Sequence, residues 1–320
     1  MPTYLEIQLD IILVNWNTGS RLIEAITSIS QHHSSLVSSV IVVDNASTDA
    51  SLTHVDALTD LPFPLHIIRN LANRGFGAAC NQGAELAASG YLLFLNPDTR
   101  LFQHSLSVPL DFMRRPENAD VGILGIQLVD EYNHIARSCA RFPSLGIFLA
   151  QALGLNRLPG LRHLNTHMSE WPHDKTAMVD HVIGALFFMR RSLFELLGGF
   201  DERFFVYLED LDLSLRAHQA GWRTVYLTDA QAFHAGGGTS HQVKAHRLFY
   251  SLRSRLLYGF KHFTRLEAWI LSGVTLLLEP VSRTMFSLAR GNVQELRNTW
   301  KAYIMLYKDM GKILKIVTIR

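Results

Sequence analysis

Apolar and polar positions follow a regular order over the first hundred residues. Four short apolar runs have the length of buried strands, and two stretches between them have apolar residues at helical spacing. Such runs separated by helices are typical of a parallel sheet covered on both faces. The pattern predicts strands over residues 10–14, 40–43, 65–68 and 91–95, with helices over residues 20–30 and 77–88. We therefore expect an α/β fold whose ligands bind at the C-terminal ends of the strands.

The rest of the chain is less regular up to about residue 180 and then becomes ordered again. The pattern predicts strands over residues 121–128, 182–190 and 224–227, helices over residues 192–197 and 210–221, and a glycine-rich loop over residues 233–240. From residue 243 onward the spacing of apolar residues predicts helices.

Polar side chains follow each of the first four predicted strands. Asn15 and Asn17 follow the first, residues 44–49 the second, residues 70–75 the third and residues 96–98 the fourth. Each loop alone has a structural explanation, since Asn and Asp are common in turns and helix caps. Their recurrence after four successive strands favours a functional edge.

Two phosphate-binding motifs are missing from these loops. A dinucleotide-binding fold needs the pattern GxGxxG after the first strand, where residues 15–19 hold a single glycine. Gly75 and Gly77 lack the third glycine at the required spacing, and no loop carries GKS or GKT. An oxidoreductase of that type and a phosphate-loop enzyme are therefore excluded.

The candidate chemistry is carboxylate-centred. Asp98 follows a buried strand and could hold a divalent cation, although a Pro-Asp turn explains it equally well. Glu209, Asp210 and Asp212 crowd the start of a helix, where carboxylates also favour the helix dipole. The crowding exceeds what capping requires and is consistent with a general base and a neighbour. His234 could be a metal ligand, but a lone histidine is more often structural.

Charge is distributed unevenly along the chain. Residues 241–320 hold 14 Lys or Arg and 4 Asp or Glu, a net charge of +10, whereas the remaining residues carry −8. Aliphatic and aromatic residues inside the basic segment favour lipid over nucleic acid, and residues 266–278 are too short to span a bilayer. We expect a helix that lies in the membrane interface with its basic residues facing acidic lipid; these are Arg283, Arg290, Arg297, Lys301, Lys308, Lys312 and Lys315. A core-packing helix and a homodimer interface are the alternatives.

Cys80 and Cys139 are the two cysteines, which argues against a disulfide scaffold and for a reducing compartment. With no secretory signal at the N-terminus, we expect a cytoplasmic protein attached peripherally to the inner face of the membrane.

Seven motifs, in order, carry a family resemblance. They are VNWN (14–17), VVDNASTD (42–49), NRGFGAACNQG (73–83), FLNPD (94–98), GALFFMRR (184–191), GGFDERFFVYLEDLDLSLRAHQAGW (198–222) and HAGGGTS (234–240). Over residues 10–260 the chain resembles the inverting family-two glycosyltransferases, in particular bacterial rhamnosyltransferases of cell-surface polysaccharide biosynthesis. The ordered set is specific for the family and much weaker for the sugar.

The resemblance implies a GT-A fold and a nucleotide-binding edge. That fold has a mainly parallel central sheet flanked by helices, here with a C-terminal helical extension. Asp44 would contact the pyrimidine ring of the nucleotide, Asn15 and Asn17 would lie beside the nucleotide, and Asn81 would line the same pocket. Residues 1–240 would form the catalytic domain, with a nucleotide-binding half up to about residue 100 and an acceptor half after it, and residues 241–320 the extension.

The resemblance also implies catalytic and metal-binding roles. Asp98 matches the last acidic residue of the family's DxD motif and would hold Mg²⁺ or Mn²⁺ against the donor diphosphate. The first acidic position is Asn96 here, a departure from that motif, and Asn96 is expected to face the donor. Asp210 would be the catalytic base with Glu209 beside it, and His234 would complete the metal shell.

These roles predict transfer of a sugar from a nucleoside diphosphate donor to a glycan or a lipid-linked saccharide, with inversion. The expected donor is dTDP-L-rhamnose, and galactofuranose or a UDP-hexose is the alternative within the same fold. A protein that binds sugar nucleotides or assists membrane assembly without turnover is the alternative outside the enzymes. A glycoside hydrolase also uses two carboxylates but needs neither the metal position nor the nucleotide loop.

Overall fold

The computed structural model describes residues 8–236 and 244–318. The chain divides into two compact units. The first comprises Met1–Ala140, Trp171–Glu202 and Glu209–Thr239, and the second Arg141–Glu170, Arg203–Leu208 and Ser240–Arg320. The division expected at residue 240 differs from these units, which place residues 141–170 and 203–208 with the C-terminal helices.

The first hundred residues form the parallel half of the central sheet. The elements are β1 (Leu9–Asn15), α1 (Arg21–His33), β2 (Val37–Asp44), α2 (Ser51–Asp56), β3 (Leu65–Arg69), α3 (Phe76–Glu85) and β4 (Tyr91–Leu95). Strand β1 lies between β2 and β4 and is parallel to both, and β3 continues the sheet beyond β2. All four strands and both helices predicted here are confirmed.

The middle of the chain contributes shorter elements. They are β5 (Thr99–Leu101), α4 (Ser107–Arg114), β6 (Val121–Val129), β7 (Cys139–Ala140), α5 (Leu145–Ala152), β8 (Ala177–Val179), β9 (His181–Val182), β10 (Leu186–Arg190), α6 (Arg191–Leu196), α7 (Glu209–Gln219) and β11 (Arg223–His234). The sheet order is β3-β2-β1-β4-β10-β6-β11-β5, and β8 also pairs with β11. Strand β10 is antiparallel to β4 and β6, and β5 and β8 are antiparallel to β11. The expected α/β fold is confirmed, but the sheet is mixed rather than mainly parallel.

Two predicted elements have different bounds. The single strand expected over residues 182–190 is interrupted between β9 and β10, because the amide of Ile183 donates to the Ser138 carbonyl and that of Gly184 to Asp210. The strand expected over residues 224–227 continues to His234, since β11 pairs beyond that point with both β6 and β5. Residues 233 and 234 are thus strand rather than loop, and residues 237–240 lie outside the described residues.

The sheet of the first unit is packed tightly against its helices. Ile11, Leu13 and Leu93 are fully buried, with the inner faces of α1 and α4 against the same core. On α3, a Cβ added at Gly83 would lie 2.6 Å from Cγ2 of Ile12. Only glycine fits at that helix–strand approach, which fixes α3 against β1.

The second unit contains the C-terminal helices that the sequence predicts. They are α8 (Lys244–His262), α9 (Arg265–Gly273), a π-helical turn (Val274–Leu278), α10 (Glu279–Ala289) and α11 (Val293–Thr318). Thr264 and Glu267 form a capping box at the start of α9. No helix within the described ranges has the length and apolar content needed to cross a bilayer.

A buried ion-pair network joins α8 and α10. Glu279 is fully buried, and its carboxylate accepts hydrogen bonds at 2.6 Å from Arg255 of α8 and at 2.7 Å from Arg283 of α10. The sequence suggested that Arg283 faces acidic lipid. That expectation is wrong, because the guanidinium instead neutralises a buried carboxylate.

Candidate active site

Asn15 and Asp44 meet at the C-terminal ends of two adjacent parallel strands. The Nδ2 atom of Asn15 donates to Oδ1 of Asp44 at 2.7 Å and to Oγ of Ser51 at 2.8 Å. The other carboxylate oxygen, Oδ2 of Asp44, accepts from the amide of Ser47 at 3.1 Å. Both residues are buried, so the Asp44 carboxylate is held in one orientation.

Asn17 holds the loop that follows β2. Its backbone is left-handed, with φ at 53°, a conformation that Asn adopts more readily than most residues. Its Oδ1 atom accepts from the amides of Thr48 at 2.7 Å and Asp49 at 3.2 Å, and its own amide donates to Oγ of Ser47 at 3.0 Å. The loops after β1 and β2 are thereby joined into one polar edge.

Asn81 lies on α3 and is bound to a distant segment. Its Nδ2 donates to the carbonyl of Phe200 at 2.9 Å and its Oδ1 accepts from the amide of Phe200 at 2.9 Å. A Cβ at Gly199 would lie 2.6 Å from that Oδ1, so the approach requires glycine. The structure therefore pairs Asn81 with the segment that precedes α7.

Asp98 and His234 are brought together by the pairing of β5 with β11. Thr99 and His234 are opposite each other in that register, and Nε2 of His234 lies 3.4 Å from Oδ1 of Asp98. Arg21 approaches the other carboxylate oxygen at 4.0 Å. Burial alone would raise the pKa of Asp98, but the hydrogen bond and charge of His234 and the charge of Arg21 hold the pKa below its ordinary value.

Asn96 connects this loop to the start of β10. Its backbone amide donates to the carbonyl of Ala185 at 2.9 Å, and Oγ1 of Thr99 approaches the same carbonyl at 3.3 Å. The next amide back along the chain, that of Gly184, donates to Oδ2 of Asp210 at 2.8 Å. Residues 184 and 185 thus stand between the Asn96–Asp98 loop and Asp210.

Asp210 is fixed on both oxygens at the first turn of α7. Its Oδ2 accepts from Gly184 and lies 3.5 Å from Nε2 of His181, while its Oδ1 accepts from the amide of Leu211 at 2.8 Å. Its side chain remains 20% exposed. Burial would raise the pKa of Asp210, but the charge and hydrogen bond of His181 and the two amides outweigh burial and hold the pKa below its ordinary value.

Glu209 has the opposite environment. It is only 5% exposed, and its Oε2 atom has no hydrogen-bond partner in the part of the chain that the structure describes. Burial, together with the neighbouring charge of Asp210, raises the pKa of Glu209 well above its ordinary value. Of the two adjacent carboxyl groups, Asp210 therefore loses its proton at the lower pH.

Asp212 has a structural partner. Its Oδ2 accepts from Nε of Arg216 at 2.8 Å, and Arg216 donates in turn to the carbonyls of Leu197 and Gly199 at 2.8 Å each. Asp212 is fully buried and Arg216 is 17% exposed, and the pair positions the segment before α7. The three neighbouring acidic residues thus have different environments: Asp210 is a partly exposed carboxylate, Glu209 a buried carboxyl group, and Asp212 the partner of Arg216.

His181 and Ser214 are site residues that the sequence reasoning missed. The Nδ1 atom of His181 lies 2.9 Å from Oγ of Ser214, and both side chains are buried. The only signal was a polar residue beside an apolar run. Two further features of the approach to Asp210 were also not predicted: Tyr207 and Leu208 both have left-handed backbones, with φ at 69° and 66°.

The donor atoms at Asp98 and His234 suit a divalent cation. A carboxylate oxygen and an imidazole nitrogen 3.4 Å apart can bind Mn²⁺ or Mg²⁺ together with the oxygens of a diphosphate. Within residues 8–236 and 244–318 no group of three or more His, Cys, Asp or Glu could enclose a metal ion alone. Such an ion would need ligands from the substrate, as diphosphate-bound metals have.

The chain has relatives among transferases. It is 31% identical over 243 residues to the N-acetylglucosaminyl-diphospho-decaprenol L-rhamnosyltransferase of Mycobacterium tuberculosis, an alignment that covers 71% of this chain and 75% of the relative. It is 30% identical over 184 residues to rhamnosyltransferase WbbL of Escherichia coli strain K12, with 56% and 63% covered.

A solved structure shares the fold. The mannosyltransferase PcManGT from Pyrobaculum calidifontis, in complex with GDP-Man and Mn²⁺, matches with a TM-score of 0.57 at 17% identity, over 94% of this chain and 87% of that one. Residues 10–197 match the family described as Glycosyl transferase family 2. The chain belongs to that family and is a glycosyltransferase with a GT-A fold.

Proposed function

We propose that this glycosyltransferase moves L-rhamnose from dTDP-L-rhamnose to a saccharide carried on a lipid diphosphate, in the assembly of a cell-surface polysaccharide. The names of the two relatives support the sugar, and the name of the mycobacterial relative supports the lipid-linked acceptor. In this proposal the reaction takes place at the cytoplasmic face of the membrane that carries the lipid. In this proposal residues up to about 100 bind the donor and residues 101–240 the acceptor.

The environment of Asp210 is the observation that supports the mechanism best. The carboxylate is anionic, held by Gly184 and His181 and still partly exposed. A general base must be ionised and fixed in place, and this one meets both conditions. In the proposed step Asp210 accepts the proton of the acceptor hydroxyl as that oxygen forms a bond to the anomeric carbon. The bond from that carbon to the diphosphate oxygen breaks on the opposite face, which inverts the configuration.

Glu209 supports this step without taking the proton. Burial and the charge of Asp210 raise the pKa of Glu209, and in this proposal Glu209 keeps its proton while Asp210 carries the negative charge. A second anion there would raise the pKa of Asp210 and repel the donor diphosphate. Glu209 is therefore proposed as a buried neighbour of Asp210 that adds no second negative charge to the site.

The donor diphosphate is proposed to lie between the Asn15–Asp44 pair and the Asp98–His234 pair. Asp98 and His234 would hold Mg²⁺ or Mn²⁺, which neutralises charge on the departing nucleoside diphosphate. Asp44 would accept from the pyrimidine, in the orientation that Asn15 imposes, and Asn17, Asn81 and Asn96 complete the edge in this proposal. The Mn²⁺ in the mannosyltransferase structure supports a metal ion in this fold.

The test is a binding and transfer panel with the purified chain. Thermal shifts are measured with dTDP-L-rhamnose, UDP-galactofuranose, UDP-glucose and NAD, with and without Mn²⁺, and transfer is measured to N-acetylglucosaminyl-diphospho-lipid. A ligand that binds only the folded state raises the melting temperature. We expect a metal-dependent shift and turnover with dTDP-L-rhamnose. Turnover with another donor instead would identify one of the alternative transferases, and donor binding without turnover would contradict the proposed acceptor.

A further inference from the structure

Helix α11 presents two neighbouring rows of exposed side chains, one apolar and one basic. The apolar row consists of Val293, Trp300, Ile304 and Tyr307, spaced seven, four and three residues apart. At 3.6 residues per turn these positions fall on one side of the helix. Trp300 is 43% exposed and Ile304 is 50% exposed, which is unusual for large apolar side chains that are neighbours on one side of a helix.

The basic row runs beside the apolar one. All five Lys and Arg residues of the described part of α11 are exposed and share one side of the helix, with spacings of four, seven, four and three residues; they are Arg297, Lys301, Lys308, Lys312 and Lys315.

The two acidic residues of α11 lie away from this side. Asp309 accepts a hydrogen bond at 2.9 Å from Arg253 of α8, on the packed side of the helix, and lies 3.7 Å from Nζ of Lys312 at the margin of the row. Glu295 lies on the turn before Arg297 and, by helical spacing, away from the basic row. The exposed surface is therefore apolar along its centre and positive along one border.

The apolar surface continues onto the π-helical turn. The hydroxyl of Tyr307 donates to the carbonyl of Leu276 at 2.7 Å, so the end of the apolar row touches that turn. Leu277 beside it is 69% exposed, and Leu278 is also exposed. Leu277, Leu278 and the apolar row thus form one surface, referred to below as the α11 face.

We propose that the α11 face docks on the surface of a lipid bilayer that contains anionic lipids. Apolar side chains bordered by Lys and Arg are what an interfacial helix presents to lipid tails and acidic headgroups. The same arrangement disfavours a second copy of this chain, since a symmetric dimer through this face would place basic rows of equal charge against each other. A nucleic acid would attract the charges but gains nothing from burying Trp300 and Ile304. The proposal stands independently of which sugar the enzyme transfers.

The test is cosedimentation of the full-length chain with vesicles of phosphatidylcholine alone and of phosphatidylcholine with 30% phosphatidylglycerol. One variant reverses the basic row (Lys301→Glu, Lys308→Glu, Lys315→Glu), and a second removes apolar contact (Trp300→Ser, Ile304→Ser). The matched control carries the same change in net charge at three exposed basic residues outside α11 (Arg115→Glu, Arg162→Glu, Lys175→Glu). Circular dichroism and thermal melting confirm that each variant is folded. A milder charge variant, with glutamine at the same three positions, replaces the first if it does not fold.

We expect binding to anionic vesicles only, with a blue shift of tryptophan fluorescence that Trp300→Phe diminishes. Each basic residue near an anionic surface contributes roughly fivefold to partitioning, so loss of three should weaken binding by roughly 100-fold, and the control should lose far less. The apolar variant should also weaken binding, which a purely electrostatic contact would not show. Equal loss in the control, no vesicle binding by the wild type, or a dimer in light scattering that the apolar variant dissociates would overturn the proposal.

Discussion

His181 lies directly against Asp210, with its Nε2 atom 3.5 Å from Oδ2 of the carboxylate. The other nitrogen of the ring, Nδ1, is 2.9 Å from Oγ of Ser214 on the next turn of α7. The imidazole is thus held from both sides, and the carboxylate it faces is confined to one orientation. In the proposed mechanism His181 is a positioning residue that acts through Asp210.

Replacing His181 should change the pH dependence of catalysis as well as its rate. In His181→Ala the charge and hydrogen bond that lower the pKa of Asp210 are lost, so the pKa of Asp210 rises. The base must be ionised, so the acid limb of the kcat/KM profile should move to higher pH. We expect kcat to fall roughly 10- to 100-fold from misplacement of the base. An unchanged acid limb with reduced rate would indicate a merely structural role, and His181→Asn should retain part of the rate.

Glu209→Gln should stabilise the protein at high pH. The folded-state pKa of Glu209 lies above its unfolded value, so the folded protein keeps a proton that the unfolded chain releases between the two pKa values. The wild-type free energy of unfolding therefore falls as pH rises through that window, and glutamine removes this loss. We expect equal melting temperatures near pH 4.5 and a gain of roughly a few °C for the variant at pH 8.

The same variant also tests the assignment of the base. Because Glu209 does not take the proton in this account, Glu209→Gln should keep its transfer rate within about tenfold. Exposed Glu131→Gln serves as the control for both measurements. A variant that melts below the wild type at pH 8 would contradict the raised pKa of Glu209. A loss of activity as complete as that of an Asp210 variant would make Glu209 the base.

Transfer should require a divalent cation held by Asp98 and His234. Chelation with EDTA should abolish turnover, and Mn²⁺ should restore it. Each variant removes a donor atom, so the Mn²⁺ concentration that gives half the maximal rate should rise roughly 10- to 100-fold in His234→Ala. The rise should be larger in Asp98→Asn. The exposed His104→Ala should leave the titration unchanged. Full activity in EDTA would show that the Asp98–His234 pair is only an ion pair.

Glu279→Gln should destabilise the second unit strongly. The substitution leaves the guanidinium groups of Arg255 and Arg283 without their buried counter-charge. Breaking such a network costs about 3–5 kcal/mol in the free energy of unfolding. Denaturant unfolding checks this value against the exposed Glu295→Gln, for which a change below about 0.5 kcal/mol is expected. A similar small change for both would mean that the network relaxes around the lost charge.

The local pattern of apolar and polar residues was sufficient to predict the first four strands and the polar edge at their C-terminal ends. The apolar run of β4 is bounded by polar residues on both sides, so its limits were predictable, and the positions of Asp44 and Asp98 followed from strand ends meeting at one edge. The ordered motifs also carried the family, because they combine strand ends and turns at fixed spacings. These features depend on neighbours in sequence.

Contacts between distant segments were not predictable in the same way. Nothing in the local pattern indicates that the side-chain amide of Asn81 is hydrogen-bonded to Phe200, 119 residues away. The partnership of His181 with Asp210 depends on β9 ending where α7 begins, which periodicity does not show. Likewise, the last part of β11 has alternating polar residues, and its strand conformation depends on pairing with β5 and β6.

The most direct test of the account is the transfer rate of Asp210→Asn with dTDP-L-rhamnose and the lipid-linked acceptor. The substitution keeps the size of the side chain but cannot accept the proton. The exposed Asp120→Asn, which changes a carboxylate paired with Arg223, is the matched control. We expect kcat to fall about 10²- to 10⁴-fold in Asp210→Asn, with donor binding by thermal shift retained and the control near wild type. Full transfer by a folded Asp210→Asn protein would contradict the account.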